Sequence, residues 1–278
     1  MKLEGKVIVV TGGAGGIGSA LGRRFAAEGA KRVVLADLDG PGAEREAKSI
    51  GPVARGMTCD ASDAVAVATL VRDVERRDGP IDLYCANAGI GTGIGVEEDD
   101  AGAWLRAWNV NVMSVVVAAR ALLPGWLARG EGYLLVTASA AGLLTTLGDA
   151  PYATTKHAAV GLAEWLAITY GDRGVKVSCL CPQGVRTNMV LGAQSAGRLG
   201  AEQVKALRLI EPQEVADCVV KGLAEERFLL LPHPEVRDYV TKKAGDPDRW
   251  IAGMRKFQAS LLGKSSEGSR QGGPKRSP

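Results

Sequence analysis

Val7-Ile8-Val9-Val10-Thr11-Gly12-Gly13-Ala14-Gly15-Gly16-Ile17-Gly18 is the stretch that decides the fold. Four β-branched apolar residues in a row read as a strand covered on both faces, and the glycines that follow allow a turn too tight for other side chains. A helical pattern begins at once, Ser19 to Glu28, with Gly29 as its stop. Strand, glycine turn and helix start together make an anion site, because backbone amides and the positive end of the helix converge where a pyrophosphate can lie. The bland alternative is a flexible turn with no ligand, and the placement between strand and helix favours the nucleotide.

Working outward, apolar runs recur near Arg32 to Ala36, Val53 to Thr58, Ile81 to Ala86 and Tyr133 to Thr137, separated by helix-like stretches. A long helix is expected from about Tyr152 to Tyr170, a strand over Val175 to Leu180, a helix resuming at Gln213 and a last strand over Phe228 to Leu231. This order predicts an α/β fold: a single doubly wound parallel sheet of about seven strands with helices on both faces. Between Thr187 and Ile210 the residues are small, and Gly192, Gly197 and Gly200 predict a loop over a site instead of a core element. After Pro232-His233-Pro234 come two amphipathic stretches, Glu235 to Ala244 and Pro247 to Leu262. The expected organisation is one domain over residues 1–262, with a helical extension from about 232, and a disordered tail over 263–278 that lacks apolar anchors.

Hydrophobic residues make up 46% of the chain and charged residues 23%, a composition with ample material for a core. The net charge of +3 lies wholly in the tail, where Lys264, Arg270, Lys275 and Arg276 face Glu267. The body is neutral, which argues against nucleic acid as a partner. Cys59, Cys85, Cys179, Cys181 and Cys218 sit mostly in strand-like runs and read as reduced core residues. With two histidines and no carboxylate cluster, no metal site is expected. The chain enters its first strand without a leader-like segment and shows no apolar run of bilayer length, so the expectation is a cytoplasmic protein without a membrane partner.

The second strand ends in Leu35-Ala36-Asp37, an acid about 20 residues past the glycine run, where a carboxylate can accept from both hydroxyls of an adenosine ribose and repel a phosphate on one of them. No Arg or Lys occupies Thr11 to Gly18, and Leu38 follows the acid. NAD is therefore expected over NADP, against the alternative that Asp37 is a solvated turn residue.

Thr11-Gly12-x-x-x-Gly16-x-Gly18 resembles the glycine motif of the short-chain dehydrogenase/reductase family, whose fold is of the Rossmann type. The likeness continues in order over residues 5 to about 231. Asp60 resembles the residue that contacts adenine, Asn87-Ala88-Gly89 the turn beneath the cofactor, and Pro182-Gln183-Gly184-Val185-Arg186-Thr187 the segment whose threonine holds the nicotinamide carboxamide. Gln183 stands where the family usually has glycine, with Gly184 one step later. Asn111, Ser139, Tyr152 and Lys156 match the catalytic tetrad. The resemblance thus implies a cofactor site of Gly12, Ala14, Gly15, Gly16, Ile17, Gly18, Asp37, Leu38, Asp60, Ala61, Asn87, Ala88, Gly89, Tyr152, Lys156, Pro182, Gly184, Val185 and Thr187.

The implied chemistry is hydride transfer between NAD(H) and a secondary alcohol or ketone, acting on CH–OH groups. The reacting oxygen must gain or lose a proton, and a free phenol, with a pKa of about 10, exchanges it poorly near neutrality. Lys156 lies four residues after Tyr152, on the same helix face, where its charge is expected to lower the phenol's pKa. By itself such a pair is also what a packed ring beside a snorkelling cation looks like. Ser139 is expected to hydrogen-bond the substrate oxygen and, by the resemblance, Asn111 to hold a water near the lysine; its alternative is a buried polar residue bonding backbone. His157 points about 100° from Lys156 around the helix and is not expected to take part.

The pocket is expected from Ile90 to Val96, Ala140 to Leu147, Met189 to Leu191 and Trp250, which suits a hydrophobic, uncharged substrate unless Arg186 or Arg198 swings in. Apolar stripes at Trp104, Leu105, Trp108 and Val112, and at Ala159, Leu162 and Leu166, read as core or interface, and the resemblance implies a homodimer or homotetramer. Two other functions stay open: a catalytically silent NAD(H)-binding sensor or scaffold, and an epimerase or dehydratase that uses NAD transiently.

Overall fold

Every residue of β1 (Val7–Thr11) is buried, as an unbroken apolar run requires when helices cover both faces of a sheet. The computed structural model describes residues 1–98, 100–193 and 198–268. After β1 the chain runs α1 (Gly16–Ala27), β2 (Arg32–Asp37), α2 (Gly40–Ile50), β3 (Ala54–Thr58), α3 (Ala64–Asp78) and β4 (Leu83–Ala86). Next come α4 (Ala101–Trp108), a π-helical turn (Asn109–Met113), α5 (Ser114–Arg129), β5 (Gly132–Thr137), α6 (Ala141–Leu144), α7 (Ala150–Tyr170) and β6 (Val175–Leu180). The last elements are α8 (Asn188–Ala193), α9 (Arg198–Ala206), α10 (Pro212–Ala224), β7 (Leu229–Leu230), α11 (Glu235–Gly245) and α12 (Pro247–Gly268).

The seven strands pair in parallel in the order β3-β2-β1-β4-β5-β6-β7, the doubly wound sheet expected. Alternation along β1 divides the core: Val7 and Val9 pack with Val67, Leu70, Leu122, Trp126 and Leu166 of α3, α5 and α7. Ile8 and Val10 pack with Leu21, Phe25, Ala43, Val215 and Val219 of α1, α2 and α10. Chain order reverses between β1 and β4, and the carboxyl ends of the strands there open the crevice in which such sheets bind ligands.

Aspartates start four helices. Asp39, Asp63, Asp100 and Asp149 each accept a backbone N–H of the first turn of α2, α3, α4 and α7, a cap that stabilises a helix by about 1 kcal/mol. The Asp149 cap moves the start of α7 back to Ala150 from the expected Tyr152.

The stretch from Thr187 to Ile210 differs from the expected loop, since α8 and α9 occupy it. Gly192 falls in the last turn of α8 and Gly200 in the first turn of α9, where glycine costs a helix less than in its middle; Gly197 lies outside the described residues. α12 continues past Leu262 to Gly268, and the remainder of the expected tail also lies outside them. One helical stretch, Ala101–Arg129, is long and apolar enough to cross a membrane, contrary to the expectation of no such run. Half of its apolar 18-residue window is buried, and Val115, Ala118, Leu122 and Trp126 pack into the core with the sheet and α3, so core packing accounts for its composition.

Candidate active site

The glycine loop bends through left-handed backbone at Gly12 (φ 67°) and Gly16 (φ 53°), conformations that side chains disfavour. A Cβ at Gly18 would overlap the Gly12 carbonyl oxygen, so loop and helix touch through this glycine. Gly15 forms the N-cap of α1 with no side-chain acceptor for the first-turn amides. A Cβ built on it meets nothing within 4 Å. The helix start is thus uncapped by a side chain and has open space beside Gly15, a cradle of the kind that receives a pyrophosphate.

Around this loop the strand ends are tied together. Asn87 N–H donates to Thr11 Oγ1 at 3.0 Å and its side-chain amide to Thr11 O at 3.0 Å, while its Oδ1 accepts from Thr137 Oγ1 at 3.1 Å. Ala88 N–H donates to the same Thr11 hydroxyl at 3.2 Å. Asp37 accepts from Ala14 N–H and from Asp39 N–H, each at 3.0 Å, so it orders the loop. Leu38 beside it is 74% exposed. Asp60 is exposed and folds back on Ser62, accepting its N–H and hydroxyl at 2.8 and 2.7 Å, with Ala61 inside that turn.

On the other flank, Pro182 O accepts from Ala140 N–H at 2.8 Å, and Val185 pairs with Ile210. Gln183 N–H donates to Nδ1 of the buried His233 at 3.2 Å, whose Nε2 reaches Arg208 O at 3.3 Å. With Nδ1 accepting, Nε2 carries the proton. Gly184 is wedged against Leu209, and Thr187 lies 3.1 Å from where a Gly16 side chain would begin, so the loop after β6 closes on the glycine loop.

Asn111, Ser139, Tyr152 and Lys156 converge as the sequence implied. Lys156 Nζ, 3% exposed, donates to Thr137 O at 2.9 Å and lies 5.6 Å from the centre of the Tyr152 ring. A Cβ at Gly89 would sit 3.1 Å from that nitrogen and 3.2 Å from Asn111 Oδ1, so glycine at this turn lets lysine and asparagine approach. An ammonium has three donors, and a buried one with a single carbonyl on it is placed to bind hydroxyl oxygens of a ligand. Burial brings Lys156 down to about 8.

One expectation needs correction. The phenol of Tyr152 is raised, not lowered: burial is the largest cause, Ser139 opposes it, and Asp149 and Cys181 add to it. The Lys156 ammonium donates to the Thr137 carbonyl, 5.6 Å from the centre of the Tyr152 ring. Asn111 sits in the π-helical turn, within the continuous helical stretch Ala101–Arg129. Its amide is taken up by Ile90 O at 2.9 Å and Thr155 Oγ1 at 3.0 Å, and its Oδ1 by Ile90 N–H at 2.8 Å. These are the bonds of the backbone-holding alternative.

A cavity of about 540 Å³ stands over this group. Ile90 to Gly93, Leu144 to Asp149, Met189, Val190, Val204 and Leu207 line it, together with Ser139, Tyr152 and Gln183. Trp250, Val96 and Leu191 do not; Trp250 packs against Tyr239 with ring centres 6.3 Å apart, in a cluster with Val236 and Leu144. Arg186 is held by Glu211 at 2.9 Å, and the Arg198 side chain lies outside the described residues. Pattern reading missed Gln203 of α9, whose Oε1 accepts from Thr146 Oγ1 and Leu147 N–H at 2.9 Å each. It also missed Asp149, whose place just before Ala150-Pro151 is a legible N-cap signal.

Of the anticipated apolar stripes, Val112, Ala159 and Leu166 enter the core. Leu105 and Trp108 of α4, with Trp165 and Ile168 of α7, remain exposed on adjoining helices. His157 bonds its own helix at Ala153 O. Among the described residues, no group of three or more His, Cys, Asp or Glu side chains forms a metal site, and all five cysteines are free thiols.

A family model described as short chain dehydrogenase matches residues 6–197. The chain is 37% identical over 219 residues to meso-2,3-butanediol dehydrogenase of Serratia marcescens, covering 78% of this chain and 86% of that one. It is 35% identical over 236 residues to a hydroxypropyl-CoM dehydrogenase of Xanthobacter autotrophicus, with 81% and 92% covered. A short chain dehydrogenase/reductase of Burkholderia phymatum, solved in complex with NAD, superposes with a TM-score of 0.81 at 28% identity, covering 89% and 96%. Fold, motif order and relatives agree: the chain belongs to the short-chain dehydrogenase/reductase family of oxidoreductases.

Proposed function

We propose that this protein interconverts a secondary alcohol and a ketone with NAD(H), that its substrate is neutral and predominantly apolar, and that Tyr152 exchanges the proton. The observation that carries this reading is the meeting of Tyr152, Ser139 and the buried Lys156 at the end of a cavity whose one charged wall residue among the described residues is already committed. Asp149 spends both carboxylate oxygens on N–H and hydroxyl donors, so it offers little to a cation, and Arg186 is paired elsewhere. A charged substrate would enter desolvated and unpaired, at a cost of several kcal/mol.

When bound, the nicotinamide dinucleotide supplies the two-electron acceptor or donor. The chain's residues do the rest. The amides of Gly16, Ile17 and Gly18 hold the pyrophosphate, and Asp37 accepts from the adenosine ribose while its charge disfavours a phosphate there, which selects NAD over NADP. Asp60 and Ala61 would hold the adenine end, Asn87, Ala88 and Gly89 would support the cofactor, and Pro182, Gly184, Val185 and Thr187 would hold its nicotinamide end. Lys156 donates to hydroxyls of the nicotinamide ribose. Ser139 donates to the substrate oxygen, which draws electron density toward it, and Tyr152 takes the proton in oxidation or returns it in reduction.

We assign the exposed apolar face of α4 and α7 to contact with further copies of the chain, one domain to the described body, and the cytoplasm as its compartment. Initial rates with NAD and NADP on cyclohexanol and menthol, against lactate and hydroxybutyrate, test the reading. It expects turnover of the neutral alcohols and a kcat/KM at least about a hundredfold higher with NAD. A preference for the carboxylates, or for NADP, would contradict it.

A further inference from the structure

The segment Gly89 to Gly93 forms one wall of the cavity and holds three glycines among five residues. Such a segment has few side chains to lock it, so its shape depends on partners elsewhere. Asn111 clamps it at Ile90. Asp149 clamps it further along: Oδ2 accepts from Thr92 N–H at 2.7 Å and Gly93 N–H at 2.8 Å, and Oδ1 accepts from the Thr92 hydroxyl at 2.6 Å. The same Oδ1 accepts from Tyr152 N–H at 3.0 Å, and next to it Ala150 N–H donates to Ile94 O at 2.9 Å. Capping α7 calls for only the bond to Tyr152; the three bonds to Thr92 and Gly93 go beyond it.

We propose that Asp149 is a positioning residue for the reaction, joining the cavity wall at Thr92–Gly93 to the first turn of α7 so that a substrate held by the one meets the phenol carried by the other. The proposal rests on the assignment of Tyr152 as proton carrier. Four groups face that phenol: Asp149 at the start of its helix, Lys156 one turn on, Cys181 after β6 and Ser139 after β5. Asp149 and Cys181 raise the phenol's pKa and Ser139 lowers it. Loss of the Asp149 charge should therefore let Tyr152 ionise at lower pH.

The test uses the full chain as wild type, Asp149→Asn, Thr92→Val, Tyr152→Phe and the double variants Asp149→Asn/Tyr152→Phe and Thr92→Val/Tyr152→Phe. Differences in phenolate absorbance between each Tyr152 protein and its phenylalanine counterpart give the Tyr152 titration. In Asp149→Asn it is expected to shift to lower pH, with amide exchange at Thr92 and Gly93 faster by about tenfold or more, the loss of a charge-assisted hydrogen bond. Thr92→Val, which removes one donor and keeps the cap on Tyr152, is expected to speed exchange at Gly93 while Tyr152 titrates as before. If Asp149→Asn does not fold, Thr92→Val decides by exchange: an unchanged Gly93 amide overturns the proposal. So does an Asp149→Asn protein in which only the Tyr152 amide loosens and the titration stays put, the pattern of a helix cap alone. Retained turnover in Tyr152→Phe would instead remove the assignment on which the proposal rests, while the exchange data would still report the clamp.

Discussion

Lys156 is a cation taken out of water. Its pKa is about 8 in the fold against 10.5 in a free lysine, because burial penalises the charged form. Between those values the unfolded chain holds a proton that the folded chain has released, so wild-type stability rises with pH there. Below about 8 the cost of the buried charge is present in full. Lys156→Met should therefore stabilise the protein at pH 7, by up to about 3 kcal/mol, less the lost bond to Thr137. The gain should fade as pH approaches 10.5. Paired thermal melts across this range check it, and a variant that melts lower than wild type at every pH would contradict it. A lysine retained at such a cost is what a site that must hold ligand hydroxyls beside a proton carrier requires.

At the scale of elements, the glycine loop is the most constrained piece of the site. Gly18→Ala forces a methyl group into the Gly12 carbonyl, and relieving the overlap must move either the loop or the start of α1. An overpacked site of this kind costs about 1–3 kcal/mol, and because the displaced amides are the cradle, NADH affinity should fall by at least about tenfold. Fluorescence titration with NADH measures it; an unchanged dissociation constant would show that the cradle lies elsewhere. This loop was legible in sequence because its chemistry is local: strand, turn and helix follow one another within twelve residues, and the same is true of the strands with their unbroken apolar runs. The cover of the cavity was not legible. α8 and α9 are short helices whose glycines suggested a loop, and Gln203 finds Thr146 and Leu147 more than fifty residues away. Asn111 was recognised, but its π-turn and its bonds to Ile90 and Thr155 depend on packing that no spacing encodes. Asp149 was a cap signal in plain view; its reach to Thr92 and Gly93 was not.

At the scale of the molecule, the sheet brings residues from β1 to β6 to one edge, and the neighbouring surface leaves Leu105 and Trp108 beside Trp165 and Ile168, with Trp165 55% and Ile168 76% exposed. Trp165→Glu is expected to shift the sedimentation of the protein toward monomer, while a wild type that already sediments as a monomer would remove that assignment. The central claim concerns what the assembled edge does. Tyr152→Phe keeps the ring and its packing and deletes the hydroxyl alone. The decisive measurement is the steady-state rate of this variant, with NAD and the best neutral alcohol, alongside its NADH dissociation constant. A loss of kcat by about a hundredfold to ten-thousandfold, with NADH affinity retained, is the predicted result; turnover at the wild-type rate would contradict it.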